Sequence, residues 1–273
     1  MARSYSAASQ TIVVTTAQTI IFQDAQLPQG GISNFFIETT GANNSLDSAI
    51  IGVRVKLEGV PIIDLSGVQL RALQEAFFPS STPPAAAQLR FTVPLAIPYP
   101  MTNLWGYSSL IGGIPFGFKT SVEVILSASS SAGTALIGWE TLPGDPSYMF
   151  KALQQQTSIG ASTTNGRVNL NYGENDIIGF LWPNPANEFT RLRYVSMLSN
   201  GTELQVDHGD NALTVEYQRR TSPLTITNPL AIKFDRAYKF PAGSYVETDS
   251  GSGAGVADVF AALQVVNVMK KTA

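Results

Sequence analysis

The same order of elements occurs twice in this chain, about half its length apart. In the first copy, residues 53–65 predict two strands with a tight turn at Gly59, and a Leu-rich helix begins after Ser66. In the second copy, residues 190–206 predict two strands with a turn at Gly201, and a helix-like stretch follows. We interpret this order as an internal duplication, in which each half closes a core of its own.

The helix of the first copy has a clear start and a clear apolar face. Ser66 is a good N-cap residue, and Leu70, Leu73 and Phe77 recur at the spacing of one helix face. A second short helical segment is predicted at residues 148–156, with the sequence YMFKALQQQ. Both helices would be insertions in a chain that consists otherwise of strands.

The remaining signals are those of short strands rich in Val, Ile, Thr and Phe, bounded by Gly, Pro, Asn and Ser. In residues 121–126, three apolar residues alternate with polar ones, as in a strand with one solvated face. A turn-rich break at residues 142–146 separates two predicted domains, 1–143 and 144–273. The predicted fold class is therefore all-β, two tandem jelly-roll β-sandwiches (a double jelly roll) with short inserted helices.

Composition excludes much of ordinary enzymology. The chain has no cysteine and one histidine, His208, so thiolate sites, disulfide scaffolds and multi-histidine metal centres are excluded. A net charge of −3 argues against nucleic-acid binding by bulk charge. Charged residues make up only 14% of the chain, against about 25% in an average globular protein. Neutral polar residues or other protein must therefore cover the surface.

A stretch of 28 residues, from Phe91 to Phe118, contains no charged residue. Its prolines and glycines argue against a helix and predict a long neutral loop that packs against something. A neighbouring subunit is the first candidate for that partner, and the chain's own sandwich is the alternative. The predicted inter-subunit contacts are Phe91, Tyr99, Trp105, Tyr107, Phe116 and Phe118. The polar N-terminal arm, residues 1–10, is expected to be disordered or to order against a neighbour or a membrane.

Residues 51–77 resemble the N-terminal coat domain of corticovirus-type major capsid proteins. In that family a strand reading V-R-V-x-L-x-G runs into an apolar return strand and a Leu-rich helix. The similarity covers about a tenth of the chain. The residues that carry it are Val53, Arg54, Val55, Leu57, Gly59, Ile62, Leu65, Leu70 and Leu73. The resemblance implies a double jelly roll, three copies of which form a pseudo-hexagonal capsomer, usually over an internal lipid membrane.

The function implied by this resemblance is that of a major capsid protein of an icosahedral virus with an internal membrane, located in the virion shell. The expected partners are further copies in a homotrimer and lattice, other capsid proteins such as penton or minor proteins, and the underlying membrane. No enzymatic activity, catalytic residue, cofactor or specific nucleic acid is expected. The alternative is a two-domain carbohydrate-binding protein, a viral spike or a lectin, with aromatic residues in a cleft. Its candidate residues would be Trp105, Trp139 and Trp182, although Trp139 lies in an apolar strand where core packing is the expected role.

The most functional-looking cluster is at residues 207–211, with the sequence DHGDN. Asp207 and Asp210 are weak candidates for metal ligands in a structural Ca²⁺ site, because alternating oxygen ligands suit that ion. The alternative is a turn that caps the following helix. The cluster does not match the spacing of an EF-hand loop.

Arg191, Arg193, Arg219 and Arg220 are the local concentration of basic residues. They could meet phosphate headgroups or a genome. A solvated strand face or an inter-subunit salt bridge is the other interpretation.

Overall fold

The computed structural model describes residues 3–13, 15–23, 25–46, 48–77, 89–99, 109–142, 146, 148–158, 165–170, 175–182, 189–197, 203–209, 230–240, 242–250 and 257–267. By packing, the chain divides into two compact units. Unit 1 consists of residues 1–153 and 265–273, and unit 2 of residues 154–264. The domain boundary predicted between residues 143 and 144 stays a prediction.

Unit 1 is a jelly roll of two layers, each built from four of its strands, with one inserted helix. Its elements are β1 (Arg3–Ile12), β2 (Gln18–Phe22), β3 (Ile32–Thr39), β4 (Ile50–Leu57), β5 (Val60–Leu65), α1 (Gly67–Phe77), β6 (Arg90–Pro94), β7 (Ala96–Tyr99), β8 (Ser109–Gly112), β9 (Thr120–Leu126) and β10 (Gly133–Thr141). One sheet has the order β1-β10-β3-β6 and the other contains β2-β9-β4-β5, while β7 and β8 pair as a separate ribbon. The chain changes sheet at almost every connection, which is the jelly-roll path.

The chain passes from unit 1 to unit 2 within β11 (Tyr148–Ser158), and β18 returns it. Unit 2 contains β12 (Asn165–Asn169), β13 (Asp176–Trp182), β14 (Phe189–Met197), β15 (Glu203–Gly209), β16 (Leu230–Tyr238), β17 (Tyr245–Ser250) and β18 (Ala257–Asn267). Its strand orders are β11-β18-β13-β16 and β12-β17-β14-β15, the same path that unit 1 takes. The hairpin β14–β15 thus corresponds to the hairpin β4–β5. The predicted fold class and the duplicated strand order are confirmed.

The alternation of buried and half-buried residues along β3 shows how the core of unit 1 is built. In β3, Phe35 and Ile37 are fully buried, whereas Phe36 between them is half-buried. Phe35 lies opposite Trp139 of β10 on one side and Val93 of β6 on the other, and all three are buried. The expectation that Trp139 packs in the core is confirmed.

Helix α1 begins as its sequence predicts. The Ser66 hydroxyl accepts a hydrogen bond from the Gln69 backbone N–H at 3.1 Å, and the Gln69 side-chain oxygen accepts from the Ser66 N–H at 2.9 Å. This reciprocal capping box satisfies two backbone donors at the helix start. Leu70 and Leu73 are fully buried. No helix in the described parts of the chain is both long and apolar enough to cross a bilayer.

The second predicted helix is wrong, because residues 148–156 belong to strand β11. Ala152 and Leu153 pair in parallel with Ile63 and Asp64 of β5. Pairing with an existing strand outweighs the local preference of a short segment whose apolar residues fit either period.

Two other local expectations are also corrected. Residues 207–209 form the end of β15 and pair with residues 191–193 of β14, whereas the rest of the predicted helix-like stretch lies outside the described residues. The neutral stretch is not one long loop, because it contains most of β6 together with β7 and β8. The N-terminal arm forms β1 from Arg3 onward and pairs with β10 of its own unit.

Candidate interaction surface

Two neutral loops of unit 1 join to form a surface that we call the Phe116 platform, residues 27–31 and 113–118. Backbone hydrogen bonds hold the loops together: Gly31 N–H donates to the Ile114 carbonyl at 2.8 Å, Ile114 N–H to the Ile32 carbonyl at 2.9 Å, and Gly117 N–H to the Gln29 carbonyl at 3.0 Å. Ile114 is fully buried beneath them. The platform is therefore part of the folded sandwich.

Glycines allow the two loops to approach this closely. Gly30 and Gly31 have φ angles of +72° and +68°, in the left-handed region that other residues rarely adopt. A Cβ on Gly31 would stand 2.2 Å from Cε1 of Phe116, so the aromatic ring lies directly over the glycine backbone. The Phe116 side chain is nevertheless 54% exposed.

An exposed aromatic ring on a rigid, uncharged base is suited to protein contact. Aromatic residues are enriched at the energetic centres of interfaces, and a ring held in place loses little entropy on binding. No charged residue occurs in residues 25–37 or in the neutral stretch, so burying this surface leaves no charge unpaired.

The other residues predicted for this contact have different positions. Phe91 lies in β6 opposite Ile37 and is 4% exposed, which leaves its ring little surface to offer a neighbour. Phe118 is the last residue of the platform and is half-buried. Tyr99 ends β7, with its side chain outside the description, and Trp105 and Tyr107 lie outside the described residues.

A group of charged residues that sequence reasoning missed lies on the outward face of β5, β4 and β9. Arg54 bonds Asp64 at 3.1 Å and Glu123 at 3.3 Å, and Lys56 pairs with the other oxygen of Glu123. The hydrogen bond to Asp64 raises the pKa of Arg54 above its usual value. The sequence does show that each of these charged residues alternates with apolar residues in its strand. It does not show which strands are neighbours, so the ion pairs could not be predicted.

We expect the substitution Glu123→Gln to lower the stability of unit 1 by about 1–2 kcal/mol, because it leaves two half-buried cations without their shared anion. The glutamine keeps the volume of the side chain, so the change reports on charge. Urea unfolding at low salt would measure it. The matched control is Glu38→Gln, whose partner Arg90 is 77% exposed, and it should unfold as the wild type does. Equal midpoints for the two variants would contradict the prediction.

In unit 2, the strand register places acidic positions opposite two of the predicted basic residues. Arg191 lies opposite Asp249, and Arg193 lies opposite both Glu247 and Asp207. Opposite charges at facing positions of an antiparallel pair stabilise the sheet. This register favours a role within the sheet over one in phosphate binding. Arg219 and Arg220 lie outside the described residues.

Only one of the two candidate ligands of the predicted cation site lies among the described residues. Asp207 lies in β15, and Asp210 lies outside the described residues. No group of three or more metal-ligating side chains occurs in the parts of the chain that the structure describes. The Ca²⁺ site therefore stays a prediction.

The fold of the whole chain matches solved viral capsid proteins. Major capsid protein P2 of bacteriophage PM2 is similar with a TM-score of 0.71 and 10% identity, covering 97% of this chain and 98% of its own. The STIV major capsid protein is similar with a TM-score of 0.62 and 12% sequence identity, and the match covers 98% of each chain. PBCV-1 VP54 is similar with a TM-score of 0.57 and 10% sequence identity, and the match covers 97% of this chain and 95% of its own. No family model and no curated protein sequence matches. The expected double jelly-roll fold, in the form these capsid proteins have, is confirmed across the chain.

Proposed function

We propose that this chain is the major capsid protein of an icosahedral virus, and that it acts in the virion shell by assembly rather than by turnover. The observation that carries the proposal is the match of fold along nearly the whole chain to three viral capsid proteins. The solved structures it resembles are of structural proteins, not enzymes.

The proposed assembly unit is a homotrimer. Three copies, each with two jelly rolls of the same strand order, present six similar sides and can tile a hexagonal lattice. Permanent interfaces are large and more apolar than transient ones, which accounts for a chain with 14% charged residues. Other capsid proteins and an underlying membrane are the further partners that we propose.

Light scattering behind a sizing column tests the proposal on the purified chain. The expected result is a stable trimer of about 88 kDa, three times 29.2 kDa, or larger assemblies that form hexagonal arrays on a microscope grid. A monomer at all salt and protein concentrations that binds glycans on an array would overturn it in favour of the carbohydrate-binding alternative. Trp139 already counts against that alternative, because its side chain is buried in the core.

We further propose that the Phe116 platform is one of the contacts between copies. The substitution Phe116→Ser should weaken self-association by about tenfold or more, since exposed aromatic anchors contribute about 2 kcal/mol at interface centres. Sedimentation velocity over a concentration series would measure the shift.

Val60→Ser is the matched control for this substitution. Val60 is also 54% exposed and apolar, but it lies at the β4–β5 hairpin and not on the platform. Val60→Ser should melt close to the wild type, and Phe116→Ser should melt within about 4 °C of it, because the half-buried Phe116 ring contributes about 1 kcal/mol. If both variants associate as the wild type does, the platform is not a contact.

A further inference from the structure

The two long sides of the unit 1 jelly roll are covered unequally. On one side lie β6 and β5. Helix α1 contacts β6, where the Gln74 side chain donates to the Thr92 carbonyl at 2.8 Å, and Ala152 and Leu153 of β11 pair with β5. The other side is formed by β1 and β2, each of which ends its sheet. We call this the β1–β2 side.

One edge of the β2 backbone faces the β1–β2 side, where the Gln10 side chain of β1 occupies one of its carbonyls. The Ile21 carbonyl accepts a hydrogen bond from the Gln10 side chain at 2.5 Å, so it points away from β9. Backbone groups two residues apart in a strand point the same way, so the groups of Thr19 also face outward. Among the described residues, no strand pairs with β2 there, since β9 is its partner on the opposite side.

Strand β2 has little of the usual protection of such an edge. Natural proteins guard sheet edges with lysine, proline, bulges or a covering segment. Strand β1 has one irregularity of register, between Ser4 and Ala8, whereas the pairing of β2 with β9 is regular, so β2 is the less protected of the two strands. Residues 4–23, which include nearly all of β1 and all of β2, contain no charged residue and no proline. They expose apolar side chains instead: Val13 is 57% exposed and Ile21 is 39% exposed. An unguarded edge of this kind favours the addition of another polypeptide strand.

We propose that the β1–β2 side of unit 1 is an inter-subunit face, covered by a second copy of this chain. This inference rests on the proposed self-assembly and names one of its surfaces. The partner must supply backbone hydrogen-bond groups and an uncharged surface. Nucleic acid and anionic lipid fit poorly, because β1 and β2 contain a single basic residue, Arg3 at the start of β1, to meet phosphate.

The test places a charge on the edge in the full chain. Ile21→Lys should raise the dissociation constant of self-association by tenfold or more, because a lysine on an edge strand opposes further pairing. Val60→Lys, which charges an exposed valine at the β4–β5 hairpin, is the matched control and should associate as the wild type does. Sedimentation velocity measures both, and circular dichroism verifies that both fold.

Hydrogen exchange on the wild type gives a second readout that needs no variant. The amides of the peptide covering residues 18–23 should exchange at least tenfold more slowly in the assembled protein than in the dissociated one. Unchanged exchange there, or equal association of Ile21→Lys and Val60→Lys while the wild type assembles, would overturn this inference and leave the proposed function standing. A wild type that never self-associates would instead overturn both.

Discussion

Replacing Gly30 by alanine is expected to lower the stability of unit 1 by about 3 kcal/mol and its melting temperature by about 6–12 °C. Two costs combine at this position. The residue has a φ of +72°, where an L side chain costs about 1–2 kcal/mol. Its Cβ would also stand 1.7 Å from the Pro115 carbonyl oxygen, so the two loops of the Phe116 platform must separate. Thermal unfolding followed by circular dichroism would measure the shift.

Gly117→Ala separates these two costs. Gly117 lies in the same platform with a φ of +86°, but nothing lies within 4 Å of the Cβ that alanine would add. The Gly117→Ala variant should therefore lose only the stability that the positive φ angle costs an alanine, about 1–2 kcal/mol. Because Gly30→Ala moves the base of Phe116 and Gly117→Ala does not crowd it, only the first should also weaken self-association. Identical melting temperatures for the two variants would show that the close approach of the loops contributes nothing.

The parts of the fold that sequence predicts well are those fixed by neighbouring residues. The β4–β5 hairpin follows from alternation on both sides of Glu58-Gly59, and both turn residues have positive φ angles. The start of α1 follows from Ser66 and Gln69, which lie one helical turn apart. These signals need no knowledge of the rest of the chain.

The parts that sequence predicts badly depend on distant strands. Phe150 and Leu153 stand three residues apart, which fits a helix face, but residues 152 and 153 pair with β5, almost ninety positions earlier in the chain. Asp207 and the residues after it look like a helix start until β14 supplies a partner strand. When the apolar residues of a short segment fit both a helix and a strand, pairing with a distant strand determines which of the two it forms.

The candidate interaction surface shows the same division. The absence of charge and the aromatic content of residues 91–118 are visible in the sequence, and both indicate contact with other protein. Which of the aromatic side chains is exposed is not visible. Phe91 is buried because it lies on the inward face of β6, opposite Ile37, whereas Phe116 is exposed because its ring lies over the glycines at positions 30 and 31 on the surface. The ion pairs around Glu123 need the order β5-β4-β9, which no single strand encodes.

Removal of the Phe35 ring should lower the free energy of unfolding of unit 1 more than removal of an exposed or half-buried ring. Phe35→Ala is expected to lower the stability of unit 1 by about 3–5 kcal/mol, because it removes a fully buried aromatic from the centre of the sandwich and leaves a cavity. The neighbours across the sheet, Trp139 and Val93, are held by their own strands and can fill that cavity only in part. Urea unfolding would show a lower midpoint with little change in slope.

Phe36→Ala is the control that makes this result specific to the inward face. It removes the same ring from the next residue of β3, which is half-buried on the outward face and lies opposite Gly138 of β10. Because the Phe36 ring is only half-buried, its removal should lower the free energy of unfolding by about 1 kcal/mol, and no internal cavity forms. A strand whose side chains alternate between core and solvent requires the two variants to differ several-fold in their loss of stability. If they lost the same amount, β3 would not lie in the register that places Phe35 between Trp139 and Val93.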